Sequence, residues 1–295
     1  MRREWLALFA ILLTLGRGAI REIEKNAARE IRQRIGDGTF TVRIEPDGVD
    51  GLAQGRLKTL TVHARDFTLN GLPFTLEPER PQSGRIKQFI MQMTNAHLRG
   101  LRAERAIAFI PEVYYDKSLA LRKRIFRLSA TGIGACEIVV NETDLAAYIL
   151  RKYAPYIREV AVQITAEQTT VQGVAALFVG EVRFKAVGKL APRDGRYLDL
   201  AEVRIEIEGA NLPAESANLL RQFLNPIIDI ERDLGLYDGL AIDTVISELG
   251  KMRALGRVWI PERGTRQEAG LVPPASRGNL TSAISSRREH TPQAL

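Results

Sequence analysis

The run EVRFKAVGKLAPRDGRYLDLAEVRIEIEG, residues 181–209, alternates apolar and polar side chains on both sides of an Asp-Gly pair. Val182, Phe184, Ala186, Gly188 and Leu190 fall on one parity, so a strand through them carries one apolar face. Asp194 and Gly195 supply the backbone geometry that a tight hairpin turn requires. Beyond the turn Leu198 and Leu200 share one parity and Val203, Ile205 and Ile207 the other; a bulge near Ala201 reconciles them. Alternation of this kind predicts an antiparallel sheet with one covered face, and nothing in the run resembles a catalytic cluster.

Upstream, NETDLAAYIL predicts a helix that starts at Asn141, whose side chain accepts a hydrogen bond from the first turn, with Asp144 adding charge at the positive end of the dipole in the manner of a capping box. Leu145, Tyr148 and Ile149 recur at helical spacing, with Lys152 following them, and Pro155 stops the helix. Val160, Val162 and Ile164 then share a strand face. Downstream, Leu219, Leu220, Phe223, Leu224, Ile227 and Ile228 form the broad apolar face of a second helix, which the Asn225-Pro226 step kinks or restarts. Asp238-Gly239 turns the chain into an apolar strand over residues 240–246, and residues 250–260 supply a closing strand. These elements, joined by Gly, Pro, Asp and Asn turns without a clear linker, predict one continuous unit.

These residues carry a resemblance. NETDLAAYIL, VAVQI, EVRFKAVGKL, the DGRYLDLAEVRIEIEG hairpin, the NLP step at Asn211, the LNPIIDI step at Leu224 and the final GRVWIP look like the LmeA family of phospholipid-binding proteins. The earlier DGVDGLAQGRLKTLTVHARDFTLNGLPF, from Asp47, is similar to that family's opening strands. The resemblance implies an α+β fold in which a long, curved, mostly antiparallel sheet wraps a few amphipathic helices in a tubular lipid-binding manner. It also implies an extracytoplasmic protein of the bacterial periplasm or envelope that holds phospholipid in an apolar groove and meets a membrane surface. For that ligand the candidate groove residues are Phe184, Leu198, Ile205, Leu220, Phe223, Leu224 and Ile227. Lys185, Lys189 and Arg193 are the candidate headgroup rim. Burying an acyl chain at about 0.8 kcal/mol per methylene would drive such binding without special chemistry. The rival reading is a membrane-anchored envelope scaffold with a filled core; a cavity separates the two, because packed interiors leave few voids larger than a water molecule.

At the N-terminus Arg2 and Arg3 precede an apolar run over residues 5–15, short of the roughly 20 residues that span a bilayer. Residues 1–18 therefore read as a signal peptide or an uncleaved N-terminal anchor, residues 19–262 as the lipid-binding domain, and residues 263–295, rich in Pro, Ser, Thr, Arg and Gln, as a disordered tail. Ile23, Ala27, Ile31 and Ile35, interleaved with charges and ended by Gly36, predict an amphipathic helix. Charges of both signs favour its packing on the sheet as a core helix over its lying on a membrane.

The net charge of +7 suits an anionic membrane and a nucleic acid nearly equally. Arg122, Lys123, Arg124, Phe126 and Arg127 lie in a run, residues 118–129, that alternates like a solvated strand, and no nucleic-acid module is visible, so no nucleic-acid partner is expected. Enzyme chemistry finds little to work with. His63 sits opposite in parity to Leu60 and Val62, His97 near a strand end and His290 in the tail, so no metal site and no cofactor are expected. Cys136 shares the apolar parity of Ile138 and Val140 and reads as a small buried residue. Glu206 and Glu208 alternate with Ile205 and Ile207 as a solvent face. No catalytic residue is predicted, and the chain reads as a non-enzyme.

Overall fold

The structure is a computed structural model that describes residues 2–123, 125–177, 180–208, 224–236 and 238–263, with side chains in the first helix from Ile20. Residues 264–295 of the predicted tail, and Leu219, Leu220 and Phe223 of the predicted second helix, lie outside them. The chain divides into two units, Met1–Arg263 and Gly264–Leu295.

Helix α1 (Arg2–Ile35) leads into β1 (Thr39–Pro46), the short α2 (Gly51–Gln54), β2 (Arg56–Leu69), β3 (Gly84–Leu98), β4 (Leu101–Tyr115), α3 (Lys117–Lys123), β5 (Leu128–Ala130) and β6 (Gly134–Asn141). Helix α4 (Glu142–Lys152) crosses to β7 (Ile157–Ile164), β8 (Thr169–Leu177), β9 (Gly180–Arg193), β10 (Tyr197–Glu208) and β11 (Ile228–Asp229). The chain returns through β12 (Leu240–Glu248) and β13 (Lys251–Val258). Two sheets result: an 8-stranded one in the order β1-β2-β3-β4-β6-β13-β12, with β5 on β4, and a 5-stranded one in the order β11-β10-β9-β8-β7. The class is α+β, and the larger sheet is curled. Between the named strands every pairing is antiparallel except β2 with β3, and Leu76 adds isolated parallel bridges to Leu128 and Glu262. A parallel pair needs a crossover, and residues 70–83 provide it, carrying Leu72, Pro73 and Phe74 across the inner face.

The hairpin of β9 and β10 forms as its alternation dictates. Val182, Phe184, Ala186 and Leu190 are buried, and Asp194 and Gly195 take φ of 55° and 67° at the turn. The ladder shifts between Ala201 and Arg204, with Glu202 at φ 53°, which transfers the inward face from Leu200 to Val203. Opposite the bulge a Cβ on Gly188 would come 2.8 Å from Leu200 Cγ, so only glycine fits.

In the larger sheet the inward parity switches twice, on several strands at once. Along β2 it passes from Leu57 to Leu60 and Val62 and then to Phe67; along β3 from Ile86 to Phe89 and then to Ala96; along β4 from Leu101 and Ala103 to Ala106 and Ala108 and then to Val113. The switches fall where the ladders are interrupted. Asp66 (φ 54°) and Asn95 (φ 54°) lie between the pairs Arg65↔Thr94 and Phe67↔Ala96, and Glu112 (φ 52°) lies between the partners of Gln88 and Ile86. Asp and Asn tolerate the left-handed region better than most residues, and Asn95 Nδ2 donates to Asp66 Oδ1 at 2.9 Å. One reversed residue per strand keeps the apolar side inward while the sheet changes direction.

Three local expectations are corrected. Asn141 is the N-cap by position and extended backbone but makes no side-chain cap bond; as the last residue of β6 it pairs with Lys251. Asp144 stands in the first turn, as expected, and meets Arg102 Nη1 at 3.2 Å. The predicted second helix does not reach Ile228: of its described residues only Leu224 is helical, and Ile228–Asp229 is β11. Pro226 lacks the N–H that a continuing helix needs, and the Asn225 side chain accepts from Leu200 N at 2.7 Å and donates to Leu200 O at 3.1 Å, acting as a strand would. Finally, residues 117–123 are helical and not strand-like, because Asp116 Oδ1 accepts the Leu119 amide at 3.0 Å and nucleates a turn. Arg124 lies outside the described residues.

Candidate functional site

A cavity of about 360 Å³ lies between α1 and the larger sheet. Ile23, Ala27 and Ile31, each four residues apart on one stripe of α1, form its roof. Leu60, Val62, Ile86 and Phe89 form the floor. Native interiors leave few voids larger than a water molecule, whereas small-molecule sites begin at roughly 300 Å³. The roof is held at two points. Glu24 Oε1 accepts the Ile44 amide at 2.8 Å, occupying a donor on the edge strand β1. Just beyond the helix, Asp37 accepts from the amide and the hydroxyl of Thr68, each at 2.9 Å.

At one end Tyr115 stacks on Phe126 with ring centroids 4.8 Å apart and donates its hydroxyl to Gly55 O at 3.1 Å. Burial pushes the Tyr115 phenol up to about 12, so it stays neutral, with its polar atom satisfied by Gly55. The polar border is made of Glu22, Asn26, Glu30 and Arg34 from α1, facing Lys117. Arg34 is paired with Glu30 at 2.6 Å. Lys117 Nζ reaches only Gln54 O, at 3.5 Å, and makes no ion pair among the described residues.

A second cavity of about 130 Å³ adjoins the first, with Ile31, Val62 and Phe74 lining both. Its wall includes Met91, Ala108 and Cys136. Burial, and secondarily the charge of Asp243, push the Cys136 thiol up to about 11, which makes it an apolar wall atom at neutral pH.

The residues singled out in the sequence stand elsewhere. Phe184, Leu198, Leu224 and Ile227 are brought together, but inside a buried hydrophobic core shared by α4 and both sheets, with Ile205 packed on its edge. None of them lines either cavity. Leu220 and Phe223 lie outside the described residues. Lys185 and Lys189 project from the face of β9 opposite Phe184 and meet Glu206 at 3.7 Å and Glu202 at 3.9 Å. Arg193 is engaged by Asp199 at 2.6 Å and lies 4.3 Å from the Tyr197 ring centre.

Of the cavity lining, the stripe Ile23, Ala27, Ile31 carried a sequence signal, read as helix packing on a sheet, and Leu60, Val62 and Cys136 were read only by their strand parity. Phe74 carried none, because the crossover that places it follows from a parallel pairing that no local pattern announces. Among the described residues no group of three His, Cys, Asp or Glu is placed to hold a metal ion, and no helix is long and apolar enough to cross a membrane. Comparisons of the chain with family models, with curated proteins and with solved structures find no match.

Proposed function

We propose that this chain binds phospholipid, non-enzymatically, with acyl chain in the cavity beneath α1 and the headgroup at its border. The observation that carries the reading is the apolar volume of about 360 Å³ between α1 and the sheet. Each methylene moved there from water contributes about 0.8 kcal/mol, so a partly enclosed chain offsets its own immobilisation. Lys117 is the cation at that border without an ion pair among the described residues, and an anionic phosphate would replace its long contact to Gln54. This moves the lipid site from β9 and β10, where the sequence placed it, to the larger sheet.

The same reading takes the chain as an LmeA-like, tubular lipid-binding protein of the bacterial envelope. Its support is the resemblance in the strands and turns, the curled sheet covered by a helix, and the continuity of α1. That helix runs unbroken over 34 residues, about 50 Å at 1.5 Å per residue, so the segment that roofs the cavity continues into the apolar run of residues 5–15. Held at a membrane surface, such a helix would keep the cavity border beside its source of lipid.

Lipid extracted from the folded full-length protein, purified from a membrane-containing host and weighed by mass spectrometry, tests the reading. Wild type is expected to carry phospholipid near one per chain, and Ala27→Trp, which fills the cavity from its roof, to carry several-fold less. A folded wild type without lipid, even after incubation with phospholipid vesicles, would favour the scaffold reading.

A further inference from the structure

We propose that the two cavities form one tunnel for a single unbranched chain, running across the strands from Val62 to Cys136 with Phe74 at its waist. The inference rests on the lipid-binding reading and adds to it the path of the chain and what limits its length.

The pairing of the strands defines the path. Val62 faces Met91, Met91 faces Ala108, and Ala108 faces Cys136, so four residues on β2, β3, β4 and β6 form one row on the inner face. With strands about 4.8 Å apart, the row is roughly 14 Å long. All four residues line the smaller cavity, and Val62 also lines the larger one. The side chain sizes along the row explain the hollow. Ala108 and Cys136 are small where the floor of the larger cavity carries Leu60 and Phe89, and Met91 between them is unbranched and adaptable. An apolar void of this size stays dry, so the alternatives are an empty space or a hydrocarbon. Phe74, from the crossover between β2 and β3, and Ile31, from the roof, border both compartments, so a chain passing from one to the other passes between them.

A short chain therefore occupies the larger cavity alone, and a long one threads past Phe74 and ends near Cys136. The thiol, the single cysteine of the chain, reports on its arrival. The experiment uses full-length protein stripped of lipid, the fatty acid series octanoate, laurate, palmitate and stearate, and methyl methanethiosulfonate as a small apolar thiol reagent, at one fixed alkaline pH. Palmitate and stearate are expected to slow modification of Cys136 about tenfold or more, and octanoate at saturation less than about twofold. Cys136→Phe, which fills the far end of the row, is expected to weaken palmitate about tenfold while leaving octanoate within about twofold. Ala108→Leu should act in the same sense if Cys136→Phe does not fold.

Chains that bind with rising affinity but leave the thiol equally reactive, with both variants unchanged, would overturn the tunnel and leave the lipid reading standing. Failure of every fatty acid and of phospholipid to bind would overturn both.

Discussion

Asp229 shows how single polar residues fix the geometry around the buried hydrophobic core. Its carboxylate receives Arg196 through two hydrogen bonds, each 2.8 Å, and the amides of Glu231 and Arg232, each at 3.1 Å. Asp233 beside it accepts from the Tyr148 hydroxyl at 2.8 Å and from Lys152 at 2.6 Å, tying the segment after Pro226 to α4. Burial alone pushes the Asp229 carboxyl up, but the Arg196 guanidinium and the two amides outweigh it and hold the carboxyl below its ordinary value of 3.8. The unfolded chain therefore takes up this proton at a higher pH than the folded one. The stability that Asp229 contributes is complete above the unfolded value and is lost as pH falls through the lower, folded one. Asp229→Asn should lower stability at neutral pH and flatten the acid limb of a urea-unfolding series below about pH 4. An unchanged acid slope would show that Asp229 has no part in it. None of this cluster was legible in the sequence, because Asp229, Arg196 and Tyr148 are distant along the chain and meet only once β11 pairs with β10.

At the scale of elements, legibility follows the range of the interaction. The hairpin of β9 and β10 was readable down to its bulge, since alternation and an Asp-Gly pair are local signals. The buried face of α4, Leu145, Tyr148 and Ile149, was equally plain from its spacing. The N-cap was not, because Asn141 serves the ladder with β13 first. The strands of the larger sheet were harder still: their inward parity reverses at Asp66, Asn95 and Glu112, which strict alternation does not foresee. Helix α1 was read as packing on the sheet, and it does; what periodicity could not show is that it spans a hollow. Its attachment combines the packing of Ala27, Ala28, Ile31 and Ile35 with hydrogen bonds to Glu24 along its length and to Asp37 just beyond its end. Glu24→Ala should leave the Ile44 amide without its acceptor and speed its hydrogen exchange about tenfold, while core amides such as that of Val171 keep their protection. Equal exchange at Ile44 in both proteins would mean that packing alone holds the roof.

Across the whole molecule the fold separates two tasks. Around α4 and the smaller sheet a buried hydrophobic core supplies stability; under α1 the larger sheet encloses space. Those of the apolar residues picked from the sequence that the structure describes belong to the first region because periodicity reports burial and is silent on whether the buried face meets side chains or a hollow. The most direct test of the lipid site is photo-crosslinking. A phospholipid carrying a diazirine in its acyl chain is bound to the full-length protein, irradiated, and the adducts are mapped by peptide mass spectrometry. Adducts are expected on α1 between Ile23 and Ile31 and on β2 and β3 around Val62 and Met91, with loss of labelling in Ala27→Trp. Labelling confined to β9 and β10, around Phe184 and Ile205, would contradict a site beneath α1 and return it to the smaller sheet.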